Sequence, residues 1–319
     1  MRIAVTGGAG FIGTHLVAAL LRQRHEVWAY DNFFAGHKEE CLPWRGQATL
    51  VDGDILDFDR LSASINEFKP DLIFHFAAIH YIPYCNDHAA ETVRVNVEGT
   101  VNVMRAAKNC AGLKGLFFAS SAAVYDTSSA FHKESDPTAA SDIYGLSKVL
   151  GEQVVRHYAA EIELSYVVGR FFNVYGPDET NPHVIPAVLR QVVERGTVRM
   201  GRTDTFRDFI YVDDLVQALL RIGALLSSGK KVAEVYNLAS GQECSIGRVV
   251  EIMARAAGAN PEIITEERHL RGGDRQHLRA DIAKARRELG WAPEFSITRG
   301  LEETVKAERA LLAGARSAR

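Results

Sequence analysis

The 319-residue chain is poor in cysteine and lacks the spacing that cysteine-based sites require. Its four cysteines, Cys41, Cys85, Cys110 and Cys244, are far apart and form no C-x-x-C pair. This pattern indicates neither a zinc site nor a disulfide framework. We therefore expect no metal in the functional site, and we expect a cytoplasmic protein whose thiols are reduced.

The chain also lacks a large excess of one sign of charge and lacks long apolar runs. The formal net charge is −3, and basic and acidic residues are mixed along the chain, which does not favour nucleic-acid binding. No apolar run approaches the roughly 20 residues of a membrane-spanning helix. The first residues, MRIAVTGGAGFIG, are typical of a strand and a turn rather than of a signal peptide. What is left is an ordinary globular composition, large enough for one main core and a smaller second region.

The first half of the chain alternates strand and helix patterns. The predicted strands cover residues 3–6, 26–30, 49–52, 72–76, 116–120 and 163–170, and the predicted helices lie near 12–24, 59–68, 89–110 and 143–161. Short apolar strands that alternate with helices predict a parallel sheet covered on both faces. Right-handed crossovers then give an α/β fold of the Rossmann-type, doubly wound kind.

After Arg170 the pattern changes, because loops lengthen and prolines become more frequent. We expect a strand that leads into a helix within 207–222, and another strand within 234–240. A helix is predicted over 245–258, with Ser245 as its N-cap and Gly258 as its end, and a short one ends at Gly290. These elements predict a smaller α/β region in the C-terminal half.

A glycine-rich segment, VTGGAGFIGTHLV, opens the chain between the first strand and the first helix. Gly8, Gly10 and Gly13 match G-x-G-x-x-G, and Gly7 also gives a looser G-x-x-G-x-x-G. Glycines permit a tight turn and close approach of the backbone, while the helix N-terminus presents free N–H groups to a pyrophosphate. The segment therefore predicts a dinucleotide-binding site.

Acidic residues after the next strands favour NAD over NADP. Asp31 lies 18 residues beyond Gly13, where a carboxylate can accept hydrogen bonds from the ribose hydroxyls of the adenosine. No lysine or arginine follows before Lys38, so nothing nearby would attract a 2′-phosphate. Asp54 follows the third strand and is a candidate contact for the adenine edge. Small residues at Ala77 and Ala78 suit close packing against the cofactor.

Tyr144 and Lys148 lie four residues apart on one predicted helix, so their side chains share a face. A nearby ammonium, together with the positive charge of an oxidised nicotinamide, favours the phenolate and lowers the pKa of the tyrosine from about 10. Tyr144 can then act as a general base near neutral pH. The pair follows, by 23 residues, a strand that ends at Ser121, and ligands bind at the carboxyl ends of parallel strands.

With these motifs the chain resembles the extended short-chain dehydrogenase/reductases, in particular the nucleotide-sugar epimerases and dehydratases and, among them, the UDP-galactose 4-epimerases. The resemblance rests on GGAGFIG, Asp31, DGDI, NVEGT, Ser121, Tyr144-x-x-x-Lys148, RFFNVYGP, FRDFIYVDD, YNLASG and RGGD…ADIAKARRELGW. It implies an NAD-binding domain over 1–170 and about 211–236, and a nucleotide-sugar-binding domain over about 171–210 and 237–319. It also implies a homodimer built on the helices near 89–110 and 143–161.

The resemblance implies roles for individual residues. Ser121 would hydrogen-bond the 4-hydroxyl of the sugar beside Tyr144, and Lys148 would bind the nicotinamide ribose. The implied cofactor contacts are Gly7, Gly10, Phe11, Ile12, Gly13, Asp31, Asn32, Asp54, Ile55, Phe76, Ala77, Ala78, Asn96, Ala119, Tyr144, Lys148 and Phe171. The implied contacts to the UDP-sugar are His80, Ser121, Ala122, Tyr144, Asn173, His183, Val184, Arg207, Arg271 and Asp274, with Asn173 and the two arginines at the diphosphate.

Ala122 and Ala123 narrow the choice among the reactions of this family. Dehydratases of this group carry an Asp-Glu pair at these two positions, and decarboxylases usually keep a glutamate at the second. A methyl group transfers no proton, so the resemblance favours a 4-epimerase that oxidises C4 to a 4-keto sugar and returns the hydride to the other face. A nucleotide-sugar reductase, dehydrogenase or decarboxylase is the alternative, and a non-catalytic NAD-sensing protein, which would typically lack the Tyr–Lys pair, is the weakest hypothesis.

Two histidines and one leucine leave questions open. His183 lies where the related GDP-fucose synthase has an acid, but the cysteine which that enzyme also needs is Ala123 here. We therefore favour a loop or substrate contact for His183, and His80 is expected at the border of the pocket. Leu278 aligns with a residue that gates the sugar pocket, and a leucine there would admit an N-acetylated sugar.

Overall fold

The computed structural model describes residues 1–37, 42–126, 131–194, 196–266 and 275–317. Fourteen strands lie in these ranges: β1 Arg2–Thr6, β2 Glu26–Asp31, β3 Thr49–Asp52, β4 Leu72–His75, β5 Gly115–Ser121, β6 Phe131–His132, β7 Ser165–Phe171, β8 Asn173–Tyr175, β9 Thr197–Met200, β10 Phe206–Tyr211, β11 Ala233–Leu238, β12 Glu243–Ser245, β13 Glu262–Thr265 and β14 Arg279–Ala280.

The helices in the same ranges are α1 Phe11–Arg22, α2 Phe58–Phe68, α3 Ile82–Asp87, α4 Ala89–Val93, α5 Gly99–Lys108, α6 Ile143–Glu161, α7 Val184–Glu194, α8 Val212–Leu226, α9 Ile246–Ala256, α10 Ala283–Leu289 and α11 Ile297–Ser317. A π-helical turn, Arg94–Glu98, joins α4 to α5, and a 3₁₀ turn, Ala122–Val124, follows β5. None of the helices in the described ranges is long and apolar enough to span a membrane.

Seven parallel strands form the main sheet, in the order β11-β7-β5-β4-β1-β2-β3. The order reverses between β1 and β4, because β2 and β3 extend the sheet on one side and β5, β7 and β11 extend it on the other. In doubly wound sheets the crevice beyond the strands' carboxyl ends at this reversal is where ligands bind. The predicted fold class is confirmed, and it places the glycine-rich segment and the end of β4 at that crevice.

Helices cover both faces of the main sheet and bury two apolar layers. One layer joins α1 and α8 to the sheet through residues such as Leu16, Val17 and Leu219. The other joins α2, α5 and α6 through residues such as Leu61, Val103 and Val155. The central strands of the sheet are buried on both faces, which explains why they appear in the sequence as short apolar runs without alternation.

A separate apolar cluster lies in the C-terminal half, where α7, α9 and α11 pack around β9 and β10. Three small sheets accompany it, namely β12-β10-β8, β13-β9 and β14-β6. The chain leaves the main sheet after β7 and returns to it twice, since α8 packs on α1 and β11 pairs with β7. Strand β11 is therefore the last to join the main sheet.

Most predicted elements of the first half are confirmed to within two residues. The predicted helical stretch near 89–110 is present as α4, the π-helical turn and α5 in succession, whereas α3 was not predicted. In the second half, the Ser245 hydroxyl caps α9 by accepting the N–H of Arg248, and Gly258 and Gly290 adopt positive φ just beyond their helices. Three of the four cysteines, Cys85, Cys110 and Cys244, lie in described residues, and these three are free thiols.

Candidate active site

The glycine-rich loop forms a tight turn against the start of α1. Gly7 has φ +72°, and its carbonyl oxygen accepts the N–H of Gly10 at 3.2 Å. A β-carbon at Gly13 would lie 2.1 Å from that oxygen, so packing inside the protein requires a glycine there. A β-carbon at Gly10 would meet only the same oxygen, at 3.3 Å. Packing does not require glycine at Gly10, but close approach of a ligand to the loop does.

A cavity of about 620 Å³ extends from this loop along the carboxyl ends of the strands. Every residue predicted to contact the cofactor lines it, except Asn96. The N-terminus of α1 opens into the cavity beside the glycine loop, and no side chain caps it. Free N–H groups at a helix N-terminus and a cradle that a β-carbon would fill both fit a dinucleotide pyrophosphate.

Asp31 and Asp54 both line this cavity. The two oxygens of Asp31 accept the N–H groups of Ala9 at 2.9 Å and of Phe33 at 2.8 Å. Burial raises the pKa of the Asp31 carboxyl, and these backbone donors oppose that effect. The Asn32 amide donates to Asp54 at 3.0 Å, which joins the ends of β2 and β3. The carboxylates of Asp31 and Asp54 suit hydroxyl groups rather than an additional phosphate.

Asn96 is buried behind the cavity and does not line it. Its side-chain amide accepts the N–H of Ile79 and donates to the Ile79 carbonyl, both at 2.8 Å, and it also donates to Ser147 at 2.9 Å. The residue thus ties the segment after β4 to α6. In this structure it positions two walls of the cavity rather than facing a ligand.

A second cavity, of about 550 Å³, adjoins the first. It is lined by His80, Ser121, Tyr144, Asn173, His183, Val184 and Arg207, which are seven of the ten predicted substrate contacts. Ala122 is buried just behind Ser121 and does not line it, while Arg271 and Asp274 lie outside the described residues. The two cavities share six residues: Phe11, Ile12, His80, Ser120, Tyr144 and Phe171. Tyr144 therefore stands where the cavities meet.

Tyr144, Lys148 and Ser121 come together at this junction. The Lys148 ammonium donates to the Ala119 carbonyl at 2.9 Å and lies 5.8 Å from the centroid of the Tyr144 ring. The Ser121 hydroxyl hydrogen-bonds the Tyr144 phenol and lowers its pKa. Burial nevertheless outweighs that bond and raises the pKa of Tyr144 above its ordinary value, and burial lowers the pKa of Lys148 to about 8. In the protein chain alone, the predicted lowering of the tyrosine pKa is therefore reversed by desolvation.

The histidines that face the second cavity differ in the partners that they have. His80 is held by a hydrogen bond with the backbone of Ala78 and by the Asn181 amide, which lies 3.2 Å from its Nε2. Burial lowers the pKa of His80 to about 3, which keeps its ring neutral. His183 instead places its Nδ1 against the buried carboxylate of Glu179. Sequence reasoning missed Glu179, although its spacing of four residues before His183 was a usable signal.

Two further features of the site were missed or misplaced by sequence reasoning. Glu152, one helical turn beyond Lys148, is buried in an ion pair with Arg170 at 2.8 Å and receives the Ser120 hydroxyl at 2.6 Å. Leu278, predicted to gate the sugar pocket, is 9% exposed and packs in a cluster with Ala122 and Tyr125 rather than lining the cavity.

Comparisons with known proteins agree with this geometry. The family model "NAD dependent epimerase/dehydratase family" matches residues 3–239. A UDP-glucose 4-epimerase from Mycolicibacterium smegmatis is 33% identical over 316 residues, covering 96% of this chain and 98% of the relative. A GDP-6-deoxy-D-mannose reductase from Pseudomonas aeruginosa is 31% identical over 94% of both chains. A UDP-N-acetyl-alpha-D-glucosaminuronate decarboxylase from Bacillus cytotoxicus is 29% identical over 96% of this chain and 97% of its own.

Solved structures are similar over nearly the whole chain. A UDP-glucose 4-epimerase from Thermotoga maritima, crystallised with UDP-glucose, superposes with a TM-score of 0.88 at 28% identity, covering 98% of this chain and 100% of that one. A UDP-glucose 4-epimerase from Thermus thermophilus, in complex with NAD, gives a TM-score of 0.87 at 28% identity, covering 97% and 99%. The chain belongs to the NAD dependent epimerase/dehydratase family, and its cofactor is NAD.

Proposed function

We propose that the protein is a nucleotide-sugar 4-epimerase that acts on a UDP-hexose such as UDP-glucose or UDP-galactose. One observation carries the proposal. Tyr144 and Ser121 meet where the cofactor cavity opens into the second cavity, while the 3₁₀ turn that follows Ser121 supplies only the methyl groups of Ala122 and Ala123. The site has the groups for oxidation at C4 but lacks the carboxylates that a dehydratase uses in that turn.

The chain's own residues handle the proton in this reaction. Tyr144 takes the proton from the sugar 4-hydroxyl, which Ser121 orients by a hydrogen bond, and returns it to the oxygen once C4 is reduced again. NAD, when bound in the first cavity, supplies reversible hydride transfer at C4. The 4-keto sugar turns within the second cavity between the two transfers, so C4 is inverted and no external oxidant or reductant is consumed.

Lys148 supplies positive charge next to a tyrosine whose pKa burial has raised. Its own pKa, lowered to about 8, leaves it an ammonium at neutral pH. As the pH rises through about 8 the ammonium is lost, and with it the stabilisation of the phenolate. We therefore expect turnover to fall on the alkaline side of pH 8, although Tyr144 itself would ionise more readily there.

The second cavity suits a nucleoside diphosphate. Asn173, on β8, lines it together with Arg207, Arg199 and Arg202, of which Arg199 is ion-paired with Glu266 and Arg202 with Asp204. Guanidinium groups present paired donors to phosphate oxygens, which supports the proposed diphosphate contacts of Asn173 and Arg207. The proposed contact of Arg271 falls outside the described residues. We place the boundary of the sugar-binding domain at about 171–210 and 237–319, since the separate apolar cluster draws on both segments.

We also propose a homodimer that forms through α5 and α6. Leu146, on α6, is 45% exposed, and a partner subunit would cover this large apolar side chain. Light scattering after size-exclusion chromatography tests this, and a monomeric wild-type protein would refute it. The matched variant Leu146→Lys is expected to favour the monomer.

The proposed activity is tested with purified protein and UDP-glucose, UDP-N-acetylglucosamine or UDP-glucuronate, followed by NMR of the C4 proton. Inversion at C4 in any of them supports the proposal, whereas another accumulating product refutes it. Tyr144→Phe is expected to abolish turnover with NAD still bound, and retained activity would remove Tyr144 as the base.

A reductase is the alternative that the same cavities permit, and one relative carries that name. It would release its oxidised cofactor and consume free NADH in proportion to product. A 4-epimerase keeps NAD through purification and shows turnover without added NADH. Absorbance at 340 nm during turnover, with and without added NADH, distinguishes the two.

A further inference from the structure

Glu152 lies outside both cavities, yet it is joined to the elements that carry the proposed active site. The residue is 2% exposed and lies on α6, four residues beyond Lys148 and eight beyond Tyr144. Its carboxylate accepts the Ser120 hydroxyl at 2.6 Å and two guanidinium N–H groups of Arg170, at 2.9 and 2.8 Å. Three short hydrogen bonds converge on one buried carboxylate, so its position is closely determined.

The end of β5 is bonded to successive turns of α6. Ala119 accepts the Lys148 ammonium through its carbonyl oxygen, Ser120 donates to Glu152, and Ser121 hydrogen-bonds Tyr144. Three consecutive strand residues thus meet three helix residues spaced one turn apart. A shift of β5 along α6 would move all three contacts together.

Arg170 extends this connection beyond Ser121. It lies on β7 directly beside Ser120 in the sheet register, and its Nη1 donates to the Tyr125 hydroxyl at 3.0 Å. Tyr125 follows the 3₁₀ turn and in turn donates to the Asn237 side chain on β11 at 2.7 Å. Glu152 therefore holds one end of the segment 120–125 directly and the other end through Arg170. That segment contains Ser121 and both alanines.

We propose that Glu152 is a positioning residue of the active site, whose carboxylate fixes the end of β5 against α6 and so sets the positions of Ser121, Tyr144 and Lys148. The inference rests on the proposed function for its activity measurement only. Its charge also acts on Lys148, since Glu152 raises the pKa of that lysine against the effect of burial. The other titratable groups that interact with Lys148 or lie beside it are Cys85 on α3, His75 on β4, His80 in the loop after β4, and Tyr144.

The test compares Glu152→Gln with Ser120→Ala and the matched control Arg156→Gln in the holoenzyme. Arg156 contacts the same carboxylate at 3.3 Å, but its side chain is 46% exposed. We expect a roughly tenfold lower kcat with little change in KM for Glu152→Gln, a severalfold lower kcat for Ser120→Ala, and wild-type values for Arg156→Gln. A second measurement follows the release of NAD as the pH is raised from 7 to 10.

Loss of the negative charge in Glu152→Gln lowers the pKa of Lys148 further, so NAD, whose ribose Lys148 is proposed to bind, is expected to leave at a lower pH than in the wild type. Ser120→Ala keeps the charge and should release NAD as the wild type does. A lower melting temperature with wild-type kcat and wild-type NAD release would show a structural role only and overturn the proposal. If Glu152→Gln does not fold, a wild-type kcat in Ser120→Ala overturns it equally. If no sugar is epimerised by the wild type, the NAD-release measurement still tests the role of Glu152, and wild-type NAD release in Glu152→Gln overturns it.

Discussion

Burial of Lys148 destabilises the folded chain, and the size of that effect can be worked out from the structure. The residue is 4% exposed and its pKa is lowered from 10.5 to about 8. At about 1.4 kcal/mol for each pH unit, this difference corresponds to about 3 kcal/mol of folding free energy at pH 7. Lys148→Met removes that penalty together with the hydrogen bond to Ala119, whose loss costs about 1 kcal/mol. The variant should therefore be about 2 kcal/mol more stable than the wild type at pH 7.

The sign of this difference should change with pH. Because the folded pKa lies below the unfolded one, the unfolded chain binds more protons between pH 8 and 10.5, and the free energy of unfolding rises with pH in that window. Below pH 8 the full cost of burying the charged Lys148 side chain applies. Above pH 10.5 the wild type carries a neutral amine that still donates to Ala119, so it should be the more stable protein by about 1 kcal/mol.

Urea unfolding of the cofactor-free wild type and the Lys148→Met variant at several pH values measures this difference in stability. The contributions of titratable groups that both proteins share cancel in the comparison. Lys108→Met is the matched control, since Lys108 is about half exposed in its ion pair with Glu161. The control should change stability by less than about 1 kcal/mol at every pH. A Lys148→Met variant that is less stable than the wild type at pH 7, or whose difference from the wild type does not depend on pH, would refute the reasoning.

The remaining predictions concern the glycine loop and the buried ion pair. Gly10→Ala keeps an allowed backbone conformation, with φ −71° and ψ 169°, so it should weaken NAD binding tenfold or more while the melting temperature changes little. Gly13→Ala forces its β-carbon against the Gly7 carbonyl, so it should weaken NAD binding and also lower the melting temperature. Equal effects of the two variants on stability would contradict the inference that packing requires glycine at position 13 but not at position 10. Arg170→Leu leaves the buried Glu152 carboxylate with only the half-exposed Arg156 as a cationic partner and should cost about 3–5 kcal/mol in urea unfolding, whereas a loss below about 1 kcal/mol would mean that the pair is not buried in solution.

Local features of the sequence predicted the fold well, because each depends on residues close together in the chain. The Ser245 cap, the glycine ends at Gly258 and Gly290, and the apolar runs of the main sheet all follow from local chemistry. The π-helical turn within 94–98 leaves no such signal, since its residues are compatible with an ordinary helix. The helical stretch predicted near 89–110 is present, but the π-helical turn inside it was not predicted.

Contacts that join distant segments were harder to predict. Asn96 was placed near the cofactor by a motif, but its partners Ile79 and Ser147 are fixed only once α6 packs beside the loop after β4. The pairing of Glu152 with Arg170 likewise depends on the register of β5 and β7. One signal for it was present, because a charged residue four positions after Lys148 falls on the same buried stripe of α6. The inward side chain of Leu278 had no comparable signal.

The late return of β11 to the main sheet has a consequence for how the chain is made. Strand β7 is complete at Phe171, but its outer neighbour begins only at Ala233, after more than sixty intervening residues that include α8. Until those residues leave the ribosome, β7 presents an open edge, and the apolar face that α8 covers stays exposed. We expect a fragment that ends at residue 171 to aggregate when expressed alone, because the edge of β7 and the face that α8 covers both stay exposed in it. The main sheet is thus completed only after the segment 172–232, which lies outside that sheet, has been synthesised.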